Sequence, residues 1–127
     1  MIRTLAAALL AAHGLIHLIG FVVPWGIAQV EGFTYRTSAL AGVVALGETG
    51  ARAIGVAWLM LAVGFVIAGV ATWRREAWAA PLTAVLAIAS IVVCALGLPE
   101  AAFGILVNVG ILAALGCDEV RQSGSHL

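Results

Sequence analysis

Four apolar runs, Thr4–Val23, Ile54–Trp73, Ala79–Leu98 and Ala101–Leu115, restrict what this chain can become more than any other feature. The hydrocarbon core of a bilayer is about 30 Å thick and takes about 20 apolar residues of α-helix to cross. The first three runs have that length, and the fourth spans if the bilayer thins around it. A run inside hydrocarbon must satisfy its own N–H and C=O groups, which leaves helix as the open-ended solution. Composition agrees: 64% of the 127 residues are hydrophobic and 9% charged, against soluble averages of about 45–50% and about 25%. The reading is all-α: one integral membrane domain over residues 1–127, a multi-pass four-helix transmembrane bundle in the cell membrane.

The punctuation fits. Pro24 ends the first run, Pro81 sits near the start of the third where a missing N–H does no harm, and Pro99 forces a tight turn at Leu98-Pro99-Glu100. The connection Arg74–Trp78 is also short, and short connections make neighbouring helices antiparallel. The first connection, residues 24–53, is long and carries Trp25, Phe33, Tyr35 and a semi-apolar piece at Ala39–Leu46. A loop of that length has a job, so it is expected to form a short interfacial helix or a lid over the bundle. Residues 117–127 read as a polar, frayed tail in which His126 is solvated. The first run exceeds a signal peptide's apolar stretch and no A-x-A site follows, so it is expected to stay as a helix. Arg3, Arg74, Arg75 and Arg121 fall on one side and Arg36 and Arg52 on the other, which orients both termini to the cytoplasm and the long loop outside. Trp73 and Trp78 flank the arginine turn as interfacial anchors.

Polar residues at membrane depth are costly unless they face partners, so they mark candidate sites. His13 and His17 lie in the middle of the first run, four apart and hence on one helix face. Ser90 and Cys94 belong to the stripe Thr83, Ala87, Ser90, Cys94, Gly97 on the third run, and Asn108 shares a face with Gly104 on the fourth. Trp58 lies on the face Gly55, Trp58, Ala62, Phe65, Gly69 of the second. These faces are expected to meet, with Glu31, Glu48 and Glu100 at the outer mouth. Blander readings stand beside this one. Ser90 and Asn108 serve equally as hydrogen-bonding glue between helices, and Gly14, Gly55, Gly64, Ala68, Gly69 and Gly104 permit close helix contact. Glu48 and Arg52 suit a surface pair at i and i+4 at the start of the second helix, and Glu100 suits the first turn of the last helix. Cys94 and Cys117 show no CxxC or metal-type spacing and read as small hydrophobes.

For the histidine pair three roles stand: a structural network, a small-molecule or proton-handling site, or a metal or haem centre. The third lacks support. The run His13-Gly-Leu-Ile-His17 has no H-E-x-x-H glutamate and no third ligand, and two imidazoles on one face cannot sandwich a haem. No metal is assigned and the sequence names no cofactor. Net charge is zero with no basic block, so nucleic acid is excluded as a partner. GxGxxG, P-loop and GxSxG motifs are missing from the chain.

Residues Leu9–Phe21, LLAAHGLIHLIGF, resemble the first helix of small DoxX-like membrane proteins, which carry an HG and a GF pair in a comparable frame and typically a lysine where this chain has His17. The segments IGVAWL (Ile54–Leu59), Trp73–Trp78 and AAFGILVN (Ala101–Asn108) resemble a group of small four-helix bacterial membrane proteins. The resemblance implies a four-helix bundle, and some DoxX-like members are membrane subunits of quinone-linked sulfur oxidoreductases.

Two functions follow as expectations. In the first, the bundle binds a hydrophobic small molecule (isoprenoid, quinone or lipid) against His13, His17, Trp58, Ser90, Cys94 and Asn108. Any chemistry is then acid–base work such as isomerisation, epoxide opening or quinone-linked redox. His17 is the first candidate acid/base, His13 or Asn108 orients it, and Glu100 or Glu48 is a second proton group. In the second, the chain is a non-enzymatic membrane subunit or scaffold, a homo-oligomer or the partner of another membrane protein, and its polar residues are interhelical glue.

Overall fold

The computed structural model describes residues 1–124, with the backbone alone for residue 119 and residues 121–124. The expected solvated His126 lies outside the described residues, as does the Arg121 side chain. Helix α1 runs Ile2–His17 and a one-turn α2 runs Ile19–Val22, together one span that stops before Pro24. Helix α3 is Gly47–Arg74, α4 is Ala79–Leu96 and α5 is Ala102–Gly124. In packing order α1 lies along α3, α3 along α4, and α4 along α5.

Three of these helices are long and apolar enough to cross a membrane, and α5 adds a shorter apolar stretch over Ala102–Asp118. Burial makes the same point. The interior holds small residues, among them Ala7, Ala62, Ala68, Ala71 and Ala87, while Leu9, Met60, Ile67, Val85, Ile88 and Leu106 face outward. In water that distribution would expose far more contiguous apolar surface than a soluble monomer carries. In lipid it is the expected one, because small residues let helix backbones approach and large ones meet acyl chains. The chain is a multi-pass membrane protein of four packed helices.

The α1–α3 contact shows how close that approach is. A Cβ on Gly14 would lie 2.7 Å from the Ala62 carbonyl oxygen, and one on Gly69 would lie 2.8 Å from the Ala7 carbonyl oxygen. Both obstacles are backbone, so neither can swing aside. The stripe Thr83, Ala87, Ser90, Cys94 is the buried face of α4, as its spacing implies.

Several expectations need correction. The apolar run Ile54–Trp73 is part of a longer helix that starts at Gly47, because the polar stretch Gly47–Ala53 is compatible with helix although it is not apolar. At about 1.5 Å per residue the 28-residue helix is roughly 42 Å long, more than a bilayer core. The last helix likewise continues through Cys117 to Gly124, where a frayed tail was expected. The piece Ala39–Leu46 is not a helix. Strand β1 (Ser38–Ala39) pairs antiparallel with β2 (Val44–Ala45) around a 3-10 turn at Leu40–Gly42.

That small hairpin is tied to the bundle end. Ala41 N–H donates to the Leu98 carbonyl at 3.1 Å, Thr37 accepts from Leu46 N–H and Gly47 N–H, and Arg36 pairs with Glu100 at 2.8 Å. Glu100 is therefore an ion-pair partner of the loop and not a first-turn acid of α5, which begins two residues later. Arg52 does not pair with Glu48 either. Its guanidinium stands 5.9 Å above the Trp25 ring, whose Nε1–H donates to the Arg52 carbonyl at 3.2 Å.

The close crossing generates a test. Gly14→Ala should lower stability in detergent by about 1–3 kcal/mol, the usual cost of overpacking. Gly110→Ala, on an open part of α5 where a Cβ meets nothing within 4 Å, should be neutral or stabilising. Chemical unfolding of the two variants side by side checks this.

Candidate functional site

The site is built on a polar ring joining α1, α4 and α5. His17 Nδ1 lies 2.9 Å from the His13 carbonyl and His17 Nε2 lies 2.7 Å from Ser90 Oγ. Asn108 Nδ2 lies 2.8 Å from Ser90 Oγ and 2.7 Å from the Gly104 carbonyl. His13 Nε2 lies 3.3 Å from Asn108 Oδ1, and Cys94 Sγ lies 3.8 Å from Ser90 Oγ.

These contacts determine where each proton sits. A carbonyl oxygen only accepts, so His17 carries its hydrogen on Nδ1 and donates to the His13 carbonyl. In a neutral ring Nε2 is then a bare acceptor, and the Ser90 hydroxyl must donate to it. Having spent its one hydrogen, Ser90 Oγ accepts from Asn108 Nδ2–H and from the Cys94 thiol. The Gly104 carbonyl holds the Asn108 NH2 on its own side, so Oδ1 faces His13, and His13 Nε2–H donates to it. Around Ser90 nothing is left over. His17 has both nitrogens occupied and Asn108 has both amide hydrogens bonded.

One atom stands apart. His13 Nδ1, the acceptor nitrogen of a ring whose Nε2 carries the hydrogen, has no hydrogen-bond partner among the described residues. The sequence reading put the acid/base role first on His17; the geometry leaves the free nitrogen on His13.

Aromatic rings back the pair. The two imidazoles meet edge to face at 4.6 Å, Phe65 approaches His13 at 4.8 Å and His17 at 5.3 Å, and Trp58 lies 5.1 Å from His17. Trp58 reaches them because Gly20 has no side chain. A Cβ there would fall 2.4 Å from the indole. Helix α1 ends at the same level, where the His13 carbonyl takes the His17 side chain as donor and Leu18 N–H turns back to the Leu15 carbonyl at 3.1 Å. A side chain inserted in the hydrogen-bond ladder is a common accompaniment of a helix break.

Beside the ring the helices part around a cavity of about 230 Å³. His13, His17, Trp58 and Cys94 line it, and toward the loop Tyr35 and the Arg36–Glu100 pair line it as well. Ser90 and Asn108 are fully buried and do not line it. Glu48 lies on a different, more open groove with Glu31, Trp25 and Arg52, away from the histidines. Of the residues expected to gather, six therefore converge on ring or cavity (His13, His17, Trp58, Ser90, Cys94, Asn108), Glu100 stands at the loop end, and Glu48 stands apart.

Sequence reasoning passed over Phe65, Tyr35 and Arg36 as site residues. Phe65 was legible from its place on the Trp58–Ala62–Gly69 face. Arg36 and Tyr35 had no signal, since only the folded loop brings them to Glu100. Among the described residues no three His, Cys, Asp or Glu side chains gather in a way that could hold a metal ion. No protein family, curated protein or solved structure matches this chain, so the resemblance of the first helix to DoxX-like proteins carries no further than four packed helices.

The hub of the ring is testable. Ser90→Ala leaves the His17 Nε2 lone pair and one Asn108 hydrogen unpaired inside the bundle, at a cost of about 1–3 kcal/mol. That exceeds the roughly 0.6 kcal/mol typical of one intramembrane hydrogen bond. Thr83→Val removes only a bond back to the Ala79 carbonyl in the same helix, and unfolding measurements should show a clearly smaller loss.

Proposed function

We propose that this chain binds a hydrophobic small molecule, of isoprenoid, quinone or lipid type, in the cavity beside His13 and His17. The observation that carries the reading is a cavity that touches a buried histidine with an unused ring nitrogen. A void of 150 Å³ lined by apolar side chains admits a benzene ring. The roughly 230 Å³ here is room for one ring-sized head group or a short piece of chain. The quinone member of the class rests on the DoxX-like resemblance.

If the bound molecule is transformed, the chemistry is acid–base work on its polar head, of the isomerising, epoxide-opening or quinone-linked kinds. A general base needs an accessible lone pair within hydrogen-bond reach. His13 Nδ1 meets that condition better than either nitrogen of His17, and Glu100 is the second proton group on the same cavity. Glu48 has no part in this version.

A second reading is favoured by its own observation. Ser90, Asn108 and His17 spend every donor on one another, which is what interhelical glue in a non-enzymatic subunit or scaffold needs. Mass spectrometry of gently purified protein separates the two. The ligand reading expects a defined lipid, isoprenoid or quinone to co-purify, and His13→Ala to lose it while folded yield survives. Loss of folded protein in step with the guest, or a stoichiometric protein partner in its place, would sink the ligand reading and favour the scaffold.

The arginine distribution supports an orientation with both termini in the cytoplasm and the loop outside. Cys117 is free and exposed, whereas Cys94 is buried. A membrane-impermeant maleimide should therefore label Cys117 in inverted vesicles and leave it untouched in intact cells; the reverse pattern rejects the orientation.

A further inference from the structure

The proton order of the ring deepens that reading, on which this inference rests, because it says which end of a hydrogen bond the guest must bring. His13 Nε2–H donates to Asn108 Oδ1, so the neutral ring offers its cavity a lone pair and no hydrogen. The ring has no other vacancy. His17 is occupied at both nitrogens, Ser90 Oγ is saturated, and the Cys94 thiol, also on the cavity, is directed to Ser90. At His13 Nδ1 a guest whose head is a carbonyl, an ether or an epoxide would meet acceptor against acceptor.

Charge narrows the head group further. Arg36 and Glu100, the charged side chains on the cavity, neutralise each other at 2.8 Å. An ammonium or a carboxylate would enter an apolar chamber with no free counter-charge, which is strongly unfavourable. The remaining donor of ordinary lipid chemistry is a hydroxyl.

The wall between α1 and α5 supplies the rest of the molecule. Ile16 and Phe103 both line the cavity, yet they are 61% and 76% exposed on the outside of the bundle. The chamber therefore opens sideways at apolar residues, between two helices that the His13–Asn108 bond joins. A tail leaving there passes directly into acyl chains. We infer that the cavity takes an uncharged hydroxyl-headed apolar chain, an isoprenoid or fatty alcohol, with its O–H donated to His13 Nδ1 and its tail leaving between Ile16 and Phe103.

The test uses the full chain in lipid nanodiscs with 15N-labelled histidine and tryptophan, titrated with geraniol and, separately, with geranyl methyl ether. The two probes share a skeleton and differ in the hydroxyl hydrogen. The Trp58 indole signal reports occupancy by either. The His13 Nδ1 signal reports a donated hydrogen bond. Geraniol should move both signals with one saturable curve, and the ether should need at least about tenfold more to move Trp58, the worth of one hydrogen bond, without moving His13 Nδ1. Equal affinity of the two, or a geraniol response that bypasses His13, overturns the hydroxyl assignment and leaves the binding site standing. If neither probe moves Trp58, the binding site falls and the hydroxyl assignment falls with it.

Discussion

Everything in this bundle defers to the rule that a polar group in hydrocarbon must have a partner within the protein. Helices meet it for the backbone. The side chains meet it through one closed circuit, in which Ser90 gives its one hydrogen to His17 and receives from Asn108. The circuit crosses three helices, so it also sets their rotation. Turning α4 by a single residue would swing Ser90 about 100° away and strand His17 and Asn108 together. Individual intramembrane hydrogen bonds contribute little. A ring of shared bonds is different in kind, because no member can leave without orphaning its neighbours.

That circuit is backed by the small-residue contact on the other side of α1. Gly14 lies one residue after His13, and its closeness to the Ala62 carbonyl brings α3 in until Phe65 and Trp58 touch both imidazoles. Bulk at Gly14 would therefore act twice, on the helix crossing and on the aromatic backing of the polar pair. Gly20 and Gly104 work in the same sense, giving room to the Trp58 indole and to Cys94 Sγ.

What could be read from the sequence divides along the same physical line. The spans follow from run length, and the inward faces of α1, α4 and α5 follow from helical spacing, because in lipid the rare polar residues have only one way to point. So His13 and His17, Ser90 and Cys94, and Asn108 with Gly104 were legible in advance. Contacts made by the loop were not. The Arg36–Glu100 pair and the Ala41–Leu98 bond join segments distant in the chain through irregular backbone, for which no periodicity exists. The apolar run does not mark the start of α3 for a related reason: hydropathy measures the thickness of a bilayer, whereas a helix ends only where its hydrogen bonding does. The free nitrogen was out of reach as well. Spacing treats His13 and His17 alike, and only atomic contacts tell one ring from the other.

The difference between those two rings has a simple origin. A side chain four residues on can reach back to a carbonyl of its own helix, and His17 does so with the His13 carbonyl. His13, one turn earlier, directs Nε2 across to α5 instead. Identical residues on one face thus divide the work: the later ring is locked by its helix and by α4, and the earlier one bridges from α1 to α5. That bridge, at 3.3 Å, is the longest of the imidazole contacts in the ring. On the same two helices Ile16 and Phe103 line the cavity and face outward. The ring with the unpartnered nitrogen is therefore the one that joins those two helices, and a guest that entered from the bilayer between them would meet His13 first.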